Sequence, residues 1–112
     1  MKKALFVAAA SLALSGCVTL GRPFSVGQIP AIQLSKTTQD QLVSTFGQPY
    51  RRGLEDGDAT ATWLNYHISI LGSERTRDLY VRFNADGTVK SYSFNSTIPE
   101  DQAALEKARA AK

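Results

Sequence analysis

From Thr60 to Ile70 the chain alternates. Thr62, Leu64, Tyr66, Ile68 and Ile70 share one parity, and Trp63, Asn65, His67 and Ser69 share the other. A period of two sends successive side chains to opposite faces of an extended backbone, so this stretch predicts one long strand. The even positions read as its core stripe. Gly72 and Ser73 mark a turn, after which Leu79, Val81 and Phe83 alternate with Asp78, Tyr80 and Arg82. Asn84, Ala85, Asp86 and Gly87 then form a strong hairpin signal, a type I turn with Gly87 at the positive-φ position. The third strand, about Thr88 to Asn95, has Tyr92 and Phe94 on one face but Val89 on the other, a conflict that a bulge near Lys90 would remove. The expected fold class is α+β, with one N-terminal helix packed on a three-stranded antiparallel meander.

That helix is delimited by its own chemistry. Thr38 and Gln41 fit a capping box, in which each side chain satisfies the other's backbone amide. Leu42, Val43 and Phe46 then form one apolar stripe over Gln39 to Phe46. Gly47 suits a left-handed residue after the helix, and Pro49 prevents continuation. Ile32 and Leu34 are expected to open the domain as a short strand, and Gly53 to Asp58 reads as an acidic turn or hairpin loop. Toward the C-terminus, Pro99, Glu100 and Asp101 start a second helix, and Lys107, Arg109 and Lys112 suit its negative end. Ile98 and Leu105 are nearly its only bulky apolar residues, so a solvated, fraying helix is expected.

The N-terminal segment has a different character. Lys2 and Lys3 precede an eleven-residue apolar run, Ala4 to Leu14. That length suits the apolar region of an export signal and falls short of the ~20 residues a spanning helix needs. The run ends in Leu14, Ser15, Gly16 and Cys17, the only cysteine of the chain, so no intrachain disulfide is possible. These four residues resemble the bacterial lipobox. The resemblance implies cleavage between Gly16 and Cys17 and fatty acylation of the Cys17 thiol, with palmitate-like chains anchoring the mature protein in lipid. Val18, in the place where aspartate retains such proteins at the inner membrane, favours the outer membrane. Val18 to Ala31 contains Gly21, Pro23, Gly27 and Pro30 and reads as a flexible tether, up to ~45 Å long when extended. The organisation is therefore 1–16 signal, 17–31 lipidated tether, 32–97 folded domain and 98–112 helical tail.

Charge excludes one class of partner. The whole chain carries +3, but removal of residues 1–16 takes away Lys2 and Lys3 and leaves eleven basic residues against ten acidic. With no basic cluster and no recognised motif, nucleic acid is not an expected partner. His67 is the only histidine, and a metal site needs three or four ligands, so neither metal nor cofactor is expected. Ser69 and Ser91 lack a nucleophile-elbow setting, and the carboxylates of Glu55, Asp56 and Asp58 lie in a polar, Gly-bounded loop, so the chain reads as a non-enzyme. Trp63 and Tyr80 fall opposite the expected core stripes. With the basic pair Arg51 and Arg52 they are the candidate surface for another envelope protein.

Thr38 to Leu42, Phe46 to Pro49, Trp63 to Tyr66, Leu79 to Phe83, and Asp86, Gly87 and Val89 together resemble the SmpA/OmlA (BamE-like) family of bacterial lipoproteins. The family pattern is a threonine-capped helix ending in Gly-x-Pro, a tryptophan/tyrosine strand, and a strand ending at a glycine turn; Lys36 stands where a glycine is usual. The resemblance covers about Leu34 to Asn95. It implies an outer-membrane lipoprotein facing the periplasm, a protein-binding module in envelope integrity or β-barrel assembly. A helix on a small sheet also resembles the β-lactamase-inhibitor fold, which would imply a periplasmic inhibitor or ligand-binding module. An accessory lipoprotein of a secretion apparatus is a third reading.

Overall fold

The computed structural model describes residues 17–110. The signal segment, with the Gly16 side of the cleavage position, lies outside the described residues. The elements run β1 (Cys17–Gly21), a 3-10 helix (Val26–Ala31), α1 (Gln39–Phe46), β2 (Arg51–Glu55), β3 (Asp58–Ser69), β4 (Glu74–Phe83), β5 (Val89–Ser96) and α2 (Pro99–Ala110). The class is α+β, with one antiparallel sheet of five strands rather than three.

The meander expected from the alternation is present as β3, β4 and β5, paired in order. β4 lies along one edge of β3. β1 and β2 share the other, β1 opposite residues 65–69 and β2 opposite residues 58–62. They run in the same direction, end to end, as one edge strand interrupted by the 3-10 helix and α1. A twelve-residue β3 would otherwise present a long row of unpaired backbone groups, and pairing satisfies them. The acidic segment Gly53 to Asp58 is accordingly the end of β2, a two-residue turn at Asp56 and Gly57, and the start of β3.

The expected tether over residues 17–31 is mostly structure. Val18, Thr19 and Leu20 suit a strand. Gly21, at φ 73°, then lets the chain leave the edge at a place where a Cβ would sit 2.0 Å from the Leu64 carbonyl oxygen. Arg22 still donates its amide to that oxygen, at 3.2 Å. Beyond it Phe24 stands edge-on to Phe46 and Phe94, and Ile29 and Ile32 are buried in the core. Leu34 is exposed and the expected strand at Ile32 and Leu34 is absent. A tight turn from Gln33 to Thr37 replaces it, and its amides and carbonyls bond Val89, closing the edge of β5.

Helix α1 forms as its residues predict. Thr38 Oγ1 accepts from the Gln41 amide at 3.2 Å, and Gln41 Oε1 accepts from the Thr38 amide at 3.0 Å. Gly47, at φ 85°, donates its amide to the Val43 carbonyl and ends the helix. Leu42 and Phe46 bury against the sheet.

The face they cover corrects the expected stripe. Register pairs Ala61 with Val81 and Trp63 with Leu79, and carries on to Tyr92 and Phe94 of β5. Opposed residues share a face, so the odd positions of β3 meet the odd positions of β4. The core is therefore Ala61, Trp63, Leu79, Val81, Phe83 and Val89 under α1, while Tyr66 and Ile68 lie on the other face. Phe83 pairs with Val89 and Arg82 with Ser91, so Lys90 is the extra residue of a bulge that returns Val89 to the core face. At Gly87, φ is 87° and the amide bonds the Asn84 carbonyl, as the turn chemistry requires.

Helix α2 is fastened at its first turn, and beyond it only Leu105 and Ala108 are half-buried, beside the 3-10 helix. Asp101 is buried and accepts a two-pronged contact from Arg77, with Nη2 to Oδ1 at 2.8 Å, and a hydrogen bond from Ser96 Oγ at 2.7 Å. Ile98 is buried beside it, whereas most residues from Gln102 onward are exposed.

Candidate partner-binding site

The four residues expected to form a partner surface do not come together. Trp63 is 2% exposed, packed against Phe46 with ring centroids 6.0 Å apart, and its Nε1 donates to the Gly47 carbonyl at 2.8 Å. It is a core residue that ties the end of α1 to the sheet, not an exposed aromatic. Tyr80 has the opposite parity and lies on the open face. Arg51 and Arg52 are also divided: Arg51 opposes Thr62 on the open face, while Arg52 opposes Ala61 and its guanidinium reaches Gln48 Oε1 at 3.5 Å. Both arginines are exposed.

The motif residues serve the fold. Thr38 and Gln41 cap α1, Gly47 supplies both its termination and the Trp63 acceptor, Pro49 stops its continuation, and Gly87 makes the β4–β5 turn. Sequence reasoning grouped them by spacing, and the structure gives each a packing or capping task.

What remains is the sheet face that α1 leaves open. One row across four strands consists of Arg51, Thr62, Tyr80 and Ser93, and the next holds Gly53, Thr60, Arg82 and Ser91. Thr60 and Thr62 are buried beneath this layer although no helix covers them. Arg82 is its hub: Nε reaches Asp58 at 2.8 Å, Nη1 reaches Glu55 at 3.0 Å, and Nη2 lies 3.6 Å from Asp56. Lys90, turned by the bulge, contacts the same Asp58 oxygen at 2.8 Å. Hydrogen bonds from Lys90 and Arg82 hold the Asp58 carboxyl below its usual range. Burial and the adjacent Glu55 push the Tyr80 phenol up. This cluster has three carboxylates and two cations, so the surface it offers is weakly acidic and rich in hydrogen-bonding groups.

An acidic turn or hairpin loop at Glu55, Asp56 and Asp58 gives no local sign of this hub. A signal existed in the arginine placed at alternate strand positions with Asp78 and Tyr80, but only the β2–β3–β4 register brings it to the acidic turn.

A second feature sits where β1 and β2 abut. Between Arg22, whose amide bonds the Leu64 carbonyl, and Tyr50, whose amide bonds the Thr62 carbonyl, lies a cleft of about 310 Å³ lined by Gly21, Arg22, Gln48, Pro49, Tyr50, Trp63 and Leu64. It is open, half polar, and suited to a side chain or a short extended segment.

His67 and Ser69 hold no reactive arrangement with each other. His67 Nδ1 pairs with Thr19 Oγ1 at 3.1 Å, and Ser69 Oγ accepts from the Leu71 amide at 3.2 Å in the hairpin turn. Among the described residues no group of three His, Cys, Asp or Glu side chains is placed to hold a metal ion. Cys17 is exposed at the first position of β1, opposite Ser69. Comparison with protein-family models, with curated proteins and with solved structures finds no match.

Proposed function

We propose that the chain is a bacterial lipoprotein, anchored through acylated Cys17 in the outer membrane and facing the periplasm. Its domain binds another envelope protein in support of envelope integrity or β-barrel assembly. The observation that carries the reading is the run Leu14, Ser15, Gly16, Cys17 behind an eleven-residue apolar segment and two lysines. The exposure of Cys17 at the edge of the sheet is compatible with a modified sulfur. No helix among the described residues is long and apolar enough to cross a membrane, so anchoring by acyl chains is the mode this reading needs. Several acyl chains, at ~0.8 kcal/mol per buried methylene, would make release slow.

The SmpA/OmlA-like unit in this reading is α1 with the β3–β4–β5 meander, and β1 and β2 are additions to its free edge. Support comes from the resemblance motifs, which fall on that unit: the capping box on α1, Gly47 with its Trp63 contact, and the Gly87 turn. The partner surface is the open face around Arg51, Tyr80 and Arg82, where polar groups stand in ordered rows and no element covers them.

Metabolic labelling with an alkyne fatty acid tests the anchor. The wild-type chain is expected to incorporate label and fractionate with the outer membrane, and Cys17→Ser to do neither. An unlabelled wild-type protein would end this reading. A photo-crosslinker at Tyr80, with one at exposed Lys36 in the turn beside β5 as reference, tests the surface. Equal capture of envelope proteins from both positions would remove the case for the open face.

A further inference from the structure

The open face changes character along its length. Toward the β2–β3 turn it carries Glu55, Asp58, Arg82 and Lys90, whereas toward the β3–β4 turn it carries Val18, Leu20, Tyr66 and Ile68, with Glu74 and Thr76 of β4 beside Ile68 and Tyr66. Val18 opposes Ile68 and Leu20 opposes Tyr66, so the four form one patch across β1 and β3. Val18 is 52% exposed, and the turn beyond adds Ile70 at 68% and Leu71 at 95%. From Ile68 to Ser73 the hairpin has no charged residue. Large aliphatic side chains so exposed at one tip cost free energy in water and mark a surface that meets something apolar.

Position decides the occupant. The described structure begins at Cys17, which opens β1 and pairs with Ser69 at the base of this hairpin. Paired strands lie about 4.8 Å apart, so the Cys17 backbone stands one strand spacing from Ser69, just before Ile70, with no intervening tether; its side chain shares the face of Thr19 and His67. Resting on the anchoring reading above, we propose that the β3–β4 tip, Ile70 and Leu71 with Ile68 and Val18, enters the interfacial layer of the membrane beside the acyl chains of Cys17. The domain is then held against the lipid. β3 and β4 rise from the membrane, and the charged cluster around Arg82 is carried about 40 Å away at the other end of a twelve-residue strand. A partner surface at that height faces away from the lipid.

Depth-dependent quenching on the full chain tests this. In acylated protein the Cys17 sulfur is a thioether, so Leu71→Cys leaves one free thiol for a bimane label. Asp56→Cys, at the far turn, is the reference, and both side chains are solvent-exposed, so neither change disturbs the core. The labelled proteins are reconstituted into phosphatidylcholine vesicles containing lipid with a doxyl group near the glycerol backbone. Interfacial depths of ~5–10 Å predict roughly a two-fold loss of emission at position 71 and none at position 56. If the protein floats with the vesicles and carries its acyl mass while position 71 emits as position 56 does, the tip does not enter lipid and the anchor stands. A blue-shifted but unquenched position 71 would mean that protein, a second copy of the chain, covers the tip, and would also overturn the proposal. Absence of acyl mass together with failure to float would remove the anchoring reading and this inference with it.

Discussion

The two faces of the sheet are built from the same alternating strands but are stabilised differently. On the face under α1, Trp63, Leu79, Val81, Phe83 and Val89 are excluded from water, and the Trp63 indole finds its acceptor in Gly47. On the open face Thr60 and Thr62 are shielded by long polar side chains, and order comes from Arg82 and its three carboxylates. The first face is held by dense packing, where a missing methylene is felt. The second is held by solvent-screened charges, where a lost contact costs little. Groups on the open face can therefore be moved without unfolding the domain, whereas those under α1 cannot.

The sharpest test of this contrast is truncation of one aromatic on each face. Trp63→Ala is expected to cost about 3–5 kcal/mol and to lower the urea midpoint steeply, while Tyr80→Ala leaves it nearly unchanged. Equal losses would break the distinction.

The next effect concerns Asp101, whose buried carboxylate bonds Arg77 at the margin of the covered face. The Arg77 guanidinium and Ser96 hold its carboxyl below the usual value of 3.8. Because the folded value is the lower one, the contribution is complete above the unfolded carboxylate range and disappears as pH falls through the folded value. Asp101→Asn is therefore expected to cost about 1–3 kcal/mol at pH 7 and to flatten the acid limb of the stability curve below pH ~4. Asp58 is also held low, but on the screened face. Asp58→Asn should flatten the same limb less, and a larger change than for Asp101 would reverse the comparison.

Gly21→Ala bears on the edge rather than on either face. A Cβ there meets the Leu64 carbonyl, at a φ that costs L-residues about 1–2 kcal/mol, so β1 should lift from β3. Faster amide exchange at Thr19 and Leu20 with β4 and β5 unaffected is the expected reading. The smallest effect is expected from Arg82→Gln, a slight and salt-dependent loss of stability with a visible loss of partner capture. Unchanged capture would move the partner surface elsewhere, with the cleft between Arg22 and Tyr50 as the next place to probe.

Much of this architecture could be read from short stretches. The limits of α1, the β3–β4–β5 meander and the Gly87 turn follow from Thr38 with Gln41, from Gly47 and Pro49, and from the period of two. A bulge near Lys90 would remove the conflict between Val89 and Phe94, but only the β4–β5 register shows that one is there. The face was misread because Leu64, Tyr66 and Ile68 make the even side of β3 as apolar as the side bearing Trp63. Glycines and prolines between Val18 and Ala31 concealed a strand and a buried isoleucine, since neither Gly21 nor Ile29 announces a partner tens of residues away.

Caps and turns close within three or four residues, so the amino-acid order alone settles where α1 begins and ends, where the hairpin turns, and that a lipobox-like run precedes Cys17. Which side of β3 is buried, which strands join its free edge, and which carboxylates Arg82 gathers depend on pairings such as Cys17 with Ser69 and Asp58 with Arg82. Those contacts have no local signature, because their free energy is gained only when the whole sheet assembles.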